Sequence, residues 1–164
     1  MQQERSIRRA TMNDLNRMLE IYELARKQMR LNGNPNQWKN YPSKELLEED
    51  IKSGISYVIE SDSKVIGTFV FIIGKDPTYR VIEKGSWLNS EPYGTIHRIA
   101  SDGTHKGLFK LVEEYCSQQI DNIRIDTHED NKIMRYILEK SGFLKCGIIY
   151  TYDGSPRIAY QKVY

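Results

Sequence analysis

Between Thr95 and Val112 the chain reads TIHRIASDGTHKGLFKLV: a strand-like run to Ser101, a polar turn at Asp102-Gly103, and a helix expected to start at Gly107. Such a strand–loop–helix junction aims free backbone N–H groups and the positive end of a helix dipole at one spot. That arrangement is a seat for an anion, and a phosphate is the natural guest. Neither the G-x-x-x-x-G-K-[ST] nor the G-x-G-x-x-G spacing is present, so no motif selects a nucleoside triphosphate or a dinucleotide. On spacing alone, Gly103 and Gly107 serve equally well as turn and N-cap glycines, and Lys106 as a solvated loop lysine.

Of the three histidines, His97 stands on the strand that leads into this loop, where it is either a general base or a half-buried strand histidine. His105 is expected in the exposed loop. His128 closes Asp126-Thr127-His128, but no serine or cysteine sits on a recognisable nucleophile elbow, so nucleophilic catalysis is discounted. The histidines have no i, i+4 pairing and no acidic companions at ligand spacing, which argues against a metal site. Trp38, Tyr41, Tyr79, Trp87 and Tyr93 fall in stretches expected to be loops. Aromatics there suit the walls of a ligand pocket or simple loop packing, and Glu83 and Glu91 nearby would favour a cationic guest. Cys116 and Cys146 lack metal-ligand spacing and read as reduced thiols of a cytosolic protein.

The elements that must position these residues follow from periodicity. Ile7 to Ala10 alternates as a short strand; Thr11 and Asp14 then open a helix whose Leu15, Met18, Leu19, Tyr22, Ala25 and Met29 share a face to about Arg30. Asn32-Gly33-Asn34-Pro35-Asn36 breaks it, and Ser43 caps a second, short helix that ends near Gly54. Two strands follow, Ile55 to Glu60 and Val65 to Ile73, the second apolar almost throughout, as a strand buried on both faces must be. From Gly74 to Gly94 the pattern is irregular, and a connection this long is more often functional than idle. After the opening stretch come a strand from Ile123 to His128, a helix from Asn131 that Gly142 ends, and a hairpin of Phe143–Tyr152 and Arg157–Tyr164 around Asp153-Gly154. The chain of 164 residues is therefore read as a single domain, 1–164, of α/β class with a mixed sheet.

Composition narrows the partners. Lys plus Arg number 24 against 22 acids and are scattered, so nucleic acid is not indicated. No run approaches a membrane span, and MQQERSIRRA lacks the apolar core of a signal peptide, so a cytoplasmic location is expected.

Four segments resemble the GNAT family of N-acetyltransferases, in particular uncharacterised bacterial-type members. They are Ile7-Arg8-Arg9-Ala10-Thr11 with Asp14-Leu15; Ile96-His97-Arg98-Ile99-Ala100 leading to Lys106-Gly107-Leu108; Arg124 to His128 followed by Asn131; and Leu138-Glu139-Lys140-Ser141-Gly142-Phe143. The resemblance implies a largely antiparallel mixed sheet flanked by helices, in the order β-α-α-β-β-β-α-β-α-β-β. It implies direct transfer of an acetyl group from acetyl-CoA, with no metal, to an amine, a small molecule being favoured over a peptide. The alternative is a non-catalytic acyl-CoA-binding or regulatory domain.

By the resemblance, Ile99, Ala100 and Ser101 would hold the pantetheine arm, the amides of His105, Lys106, Gly107 and Leu108 the pyrophosphate, and Asn131 a further part of the cofactor. His97, or Glu83 through a water, would act as base. The family's usual tyrosine acid falls at Leu138, so water, Tyr150 or Tyr152 is considered in its place, Tyr136 lying two positions away on a different helical face. The loop from Asp102 to Leu108 is shorter than the family's, and Phe109 stands where a small residue is typical, either crowding the helix start or turning into the core. A homodimer is a further expectation from the family, with the edge of the last hairpin as its pairing surface.

Overall fold

The strand VIGTFVFII is buried along nearly its whole length because it lies inside a sheet whose two faces are both covered by helices. The computed structural model describes residues 4–164, so the first three residues of the stretch read for an export signal lie outside it. The strands are β1 (Arg5–Arg9), β2 (Ser56–Ser61), β3 (Lys64–Ile73), β4 (Gly94–Ser101), β5 (Asn122–Thr127), β6 (Leu144–Tyr150) and β7 (Pro156–Val163). The helices are α1 (Leu15–Leu31), α2 (Lys44–Lys52), α3 (Leu108–Ser117) and α4 (Lys132–Lys140). The strands form one sheet in the order β1-β2-β3-β4-β5-β7-β6, antiparallel at every pairing except β4 with β5.

Strand alternation divides the core. Tyr57 and Ile59 of β2 face one layer with Val112, Cys116 and Leu138 of α3 and α4, while Val58 faces the other with Met18, Ile21 and Leu47 of α1 and α2. Phe109 turns into the first layer and meets Phe143 edge-on, with ring centroids 5.9 Å apart, so it does not crowd the helix start. The expected caps form: the Ser43 side chain accepts the Leu46 N–H at 3.1 Å and the Asn131 side chain that of Met134 at 3.0 Å. Cys116 and Cys146 are free and buried. Among the described residues no helix is long and apolar enough to cross a membrane.

The connection before β4 is less irregular than the sequence suggests. Pro77–Tyr79 forms a 3-10 turn, and Glu83 pairs with Ile148 as an isolated antiparallel bridge on β6. The bridge depends on Gly147, where a Cβ would stand 2.5 Å from the Glu83 carbonyl oxygen.

One bulge shapes the rest of the molecule. Thr68 pairs with Ala100 and Val70 with His97, so Phe69 of β3 faces two residues of β4, Arg98 and Ile99. Arg98 takes up the extra length at φ 50°, a left-handed conformation that costs a non-glycine residue roughly 1–2 kcal/mol. It is held there on every side. Its carbonyl accepts the Tyr22 hydroxyl at 2.6 Å, its Nε and Nη2 donate to both Asp50 oxygens at 3.0 Å, and Nη1 donates to the Tyr41 hydroxyl at 2.7 Å. The two charged side chains are only 12% and 5% exposed. Asp50→Ala would strand the buried guanidinium, and we expect a loss of about 3–5 kcal/mol, measured by urea denaturation.

Candidate active site

Beyond the bulge the parallel neighbours part. β4 pairs with β5 only at Gly94–Ile123 and Thr95–Arg124, although both strands continue further. From His97 onward the β5-facing edge of β4 has no strand beside it among the described residues, and a cavity of about 920 Å³ opens there. Ile96 to Ile99 line one wall and Ile125 to Thr127 the other. Trp38 to Tyr41, Asp76 to Thr78, Asn131, and Thr151 to Asp153 with Arg157 are among the other residues that line it.

His97 lies in this wall with its ring orientation fixed. Its Nε2 is 2.7 Å from Oδ2 of Asp76, whose Oδ1 accepts the Thr78 N–H at 2.8 Å and the Thr78 hydroxyl at 2.7 Å. Burial works against the Asp76 charge, but the hydrogen bonds from His97 and Thr78 outweigh it and hold the carboxyl at about 2. An ionised carboxylate only accepts, so Nε2 carries the proton shared with Asp76, and Nδ1 is the basic nitrogen of the neutral ring.

The depressed value has a consequence for stability. A carboxyl lowered from 3.8 to about 2 adds about 2 kcal/mol to the folded state. That contribution is present above the unfolded value and is lost as pH falls through the folded one. The stability difference between the wild type and Asp76→Asn should therefore shrink between pH 4 and pH 2, read from denaturation midpoints at each pH.

A second carboxylate in the cavity, Asp126, accepts the Tyr79 hydroxyl at 2.6 Å. Burial and then the field of Asp126 push the Tyr79 phenol well above its ordinary range, so it stays a donor. Glu83 and Tyr150 require correction. Glu83 is exposed on its bridge to β6 and accepts the Tyr150 hydroxyl at 2.9 Å, and neither residue lines the cavity. That hydrogen bond raises the Tyr150 phenol, which makes it a poorer acid. Glu91 is likewise exposed and absent from the lining.

Of the five loop aromatics, Trp38 and Tyr41 do line the cavity, whereas Tyr79, Tyr93 and Trp87 pack a separate small core with Ile149 and Ala159. Arg124 of β5 draws them inward, its guanidinium carbon 4.1 Å from the Trp87 ring centre and 3.9 Å from that of Tyr93. His128 turns away to accept the Asp130 N–H at 3.0 Å.

The loop read from the sequence as an anion seat follows β4 and is braced from α1 and β1. Arg17 reaches Asp102 at 2.7 Å and the Val65 carbonyl at 2.9 Å, and Arg5 reaches the Lys106 carbonyl at 2.8 Å. Gly107 stands at φ 77° as the N-cap of α3. The amides of Lys106, Gly107 and Leu108 take no hydrogen-bond partner among the described residues, so the seat inferred from the sequence has open donors. Ile99 and Asn131 line the cavity, whereas Ala100 is buried towards α1, and Ala100 and Ser101 offer backbone rather than lining side chains. Asn131 is also partly committed, since its Nδ2 donates to Gln37 at 2.9 Å.

The fold as a whole places the chain beside solved acetyltransferase structures. It is similar to a GNAT-family acetyltransferase from Streptococcus agalactiae at 30% identity, covering 98% of this chain and 95% of that one with a TM-score of 0.89. The chain belongs to the GNAT family of acetyltransferases. Two further structures share the fold: a GNAT acetyltransferase from Listeria monocytogenes (19% identity, coverage 98% and 95%, TM-score 0.72) and the ribosomal-protein-alanine N-acetyltransferase from Brucella melitensis (18%, 97% and 99%, TM-score 0.58). No family model and no curated protein matches the chain.

As a GNAT acetyltransferase the protein carries out acyl transfer, and its departures from the family become legible. Leu138, at the usual tyrosine position, is fully buried between α4 and the sheet, and Tyr136 points outward at 64% exposed. The phenols that line the cavity are Tyr41 and Tyr152. Sequence reasoning missed Asp76, Asp126 and Arg157 as cavity residues. Only weak signals marked them: an aspartate before proline that caps a turn, and two charges within otherwise buried strands.

Proposed function

We propose that the chain works as one acetyl-CoA-dependent N-acetyltransferase domain that acetylates a small amine by direct transfer. The observation that carries this reading is the His97–Asp76 pair, which fixes the ring of a histidine lining the cavity where β4 and β5 part and leaves Nδ1 as its free nitrogen. The open amides of Lys106, Gly107 and Leu108 suit a pyrophosphate, and the unpaired edge of β4 at Ile99 to Ser101 suits a pantetheine arm. The residues present therefore fit acetyl-CoA, which when bound supplies an activated thioester.

The chain's own residues do the rest. His97 Nδ1 takes the proton of the acceptor amine, and Asp76 holds the ring in place and balances the charge it gains. Of the two tyrosines offered by the sequence, Tyr152 lines the cavity at its open rim and Tyr150 does not, and Tyr41 is the second phenol of the lining. Asp76 and Asp126 stand on the His97 side of the cavity lining and suit a cationic amine there, while the lining cations Lys39, Arg98 and Arg157 balance the acids over the cavity as a whole.

Acetyl-CoA at about 100 times its Kd should stabilise the fold by roughly 2.7 kcal/mol in thermal unfolding, and an amine panel should release CoA. An unshifted unfolding curve would refute cofactor binding. A shift without CoA release from any amine would favour the acyl-CoA-binding alternative, for which the buried Leu138 is the supporting observation.

A further inference from the structure

Arg157 of β7 lies in the cavity wall and is 7% exposed. A guanidinium has five N–H donors and does not lose its charge in a protein. Three donors are occupied: Nη1 donates to the Ser155 hydroxyl and, at 2.9 Å, to the Pro156 carbonyl, and Nη2 donates to the Gln37 carbonyl at 3.1 Å. All three partners are neutral. Nε–H and one Nη2–H remain, and among the described residues no carboxylate stands within ion-pair distance. Burial lowers the guanidinium's pKa, opposed at longer range by the fields of Asp126, Asp153 and Tyr41.

A buried cation without a counter-charge is costly, and two adjacent donors on a planar fork match one carboxylate in bidentate fashion. The other charges of the cavity decide between anions. Asp76, Asp126 and Asp153 line the same space; of the other lining cations, Arg98 is already paired with Asp50 and Lys39 is exposed to solvent, so the acids disfavour a dianionic phosphate and suit the ammonium of a molecule whose single carboxylate faces Arg157. Gln37 makes the fork a built feature. Its side chain is tied to Asn34 at 2.8 Å and Asn131 at 2.9 Å, so the carbonyl that orients Arg157 is itself anchored.

We infer that the acceptor is a zwitterion, an amine that also bears a carboxylate as an amino acid does, with Arg157 receiving the carboxylate and the amine lying towards His97 and Asp126. This inference rests on the N-acetyltransferase reading above and names its substrate class.

The test compares L-α-amino acids with their primary carboxamides as acceptors, following CoA release by the wild type, Arg157→Gln and Arg157→Lys. The free acid of the preferred acceptor should exceed its carboxamide about 10- to 100-fold in kcat/KM. Arg157→Gln should raise KM for the acid by that factor, leave kcat and the KM for acetyl-CoA within about twofold, and abolish the preference. Arg157→Lys should recover part of it.

Carboxamides used as well as acids, or turnover of no member of the panel, would overturn the inference. A preference that persists in Arg157→Gln would do the same. Should Arg157→Gln fail to fold, the wild-type acid-to-amide ratio decides alone. A parallel acetyl-CoA titration separates the failures: stabilisation without acid preference removes only the zwitterion, and absent stabilisation removes the reading beneath it.

Discussion

Replacing Asp76 by asparagine should lower kcat about 10²- to 10⁴-fold while acetyl-CoA affinity stays unchanged. The size of the effect follows from which atom of the new amide can face the histidine. Oδ1 of Asp76 accepts the Thr78 N–H, a donor fixed by the backbone turn, so the amide oxygen must keep that position. The amide –NH₂ is then left at the place of Oδ2, 2.7 Å from His97 Nε2. Facing a donor, Nε2 must accept, and the ring proton moves to Nδ1. The neutral imidazole would then present an N–H to the cavity where the reaction needs a lone pair. Geometry and packing are nearly preserved, so the loss would report the tautomer rather than the fold. Steady-state kinetics with any accepted amine, together with a thermal shift for acetyl-CoA, would check it; kcat within about threefold of the wild type would remove His97 as the base.

Gly107→Glu should weaken acetyl-CoA binding about 100-fold or more. A Cβ at this position finds only Arg5 Nη1, at 4.0 Å, so no clash obstructs the side chain. The left-handed φ of 77° strains a non-glycine residue by roughly 1–2 kcal/mol, a cost Gly107→Ala shares without the added charge. The difference in Kd between the two variants isolates a carboxylate brought to the mouth of an anion seat. Calorimetric titration of both would measure it. Equal affinities for the glutamate and alanine variants would show that the pyrophosphate sits elsewhere than on the amides of 105–108.

Local pattern decided much of this protein before any tertiary contact was considered. The helical spacing of Leu15 to Met29, the caps at Ser43 and Asn131, the stop at Gly142 and the turn at Asp153-Gly154 are short-range signals, and each element forms within a residue or two of its expected bounds. The loop from Asp102 to Gly107 was readable for the same reason, since a helix N-terminus exposes its amides whatever the rest of the chain does. The order of these segments also carried the GNAT resemblance.

Tertiary structure alone decided which charges meet. Asp76 is 21 residues from His97, Arg98 is 48 from Asp50, and Arg157 is 120 from the Gln37 carbonyl that steers it. No periodicity links such partners, because side-chain pairing across a sheet depends on register and on the bulge at Arg98, which adds one residue to β4. The same separation misled the reading of Glu83 and Tyr150. Their types suit acid–base work, and they do meet across 67 residues, yet on the exposed side of β6 rather than in the cavity. Residue type and local spacing thus determined the fold and the open amides of the loop before α3. Which histidine nitrogen is basic, and which cation is left without a counter-charge, were set by long-range packing, since those properties belong to pairs of residues and not to either one alone.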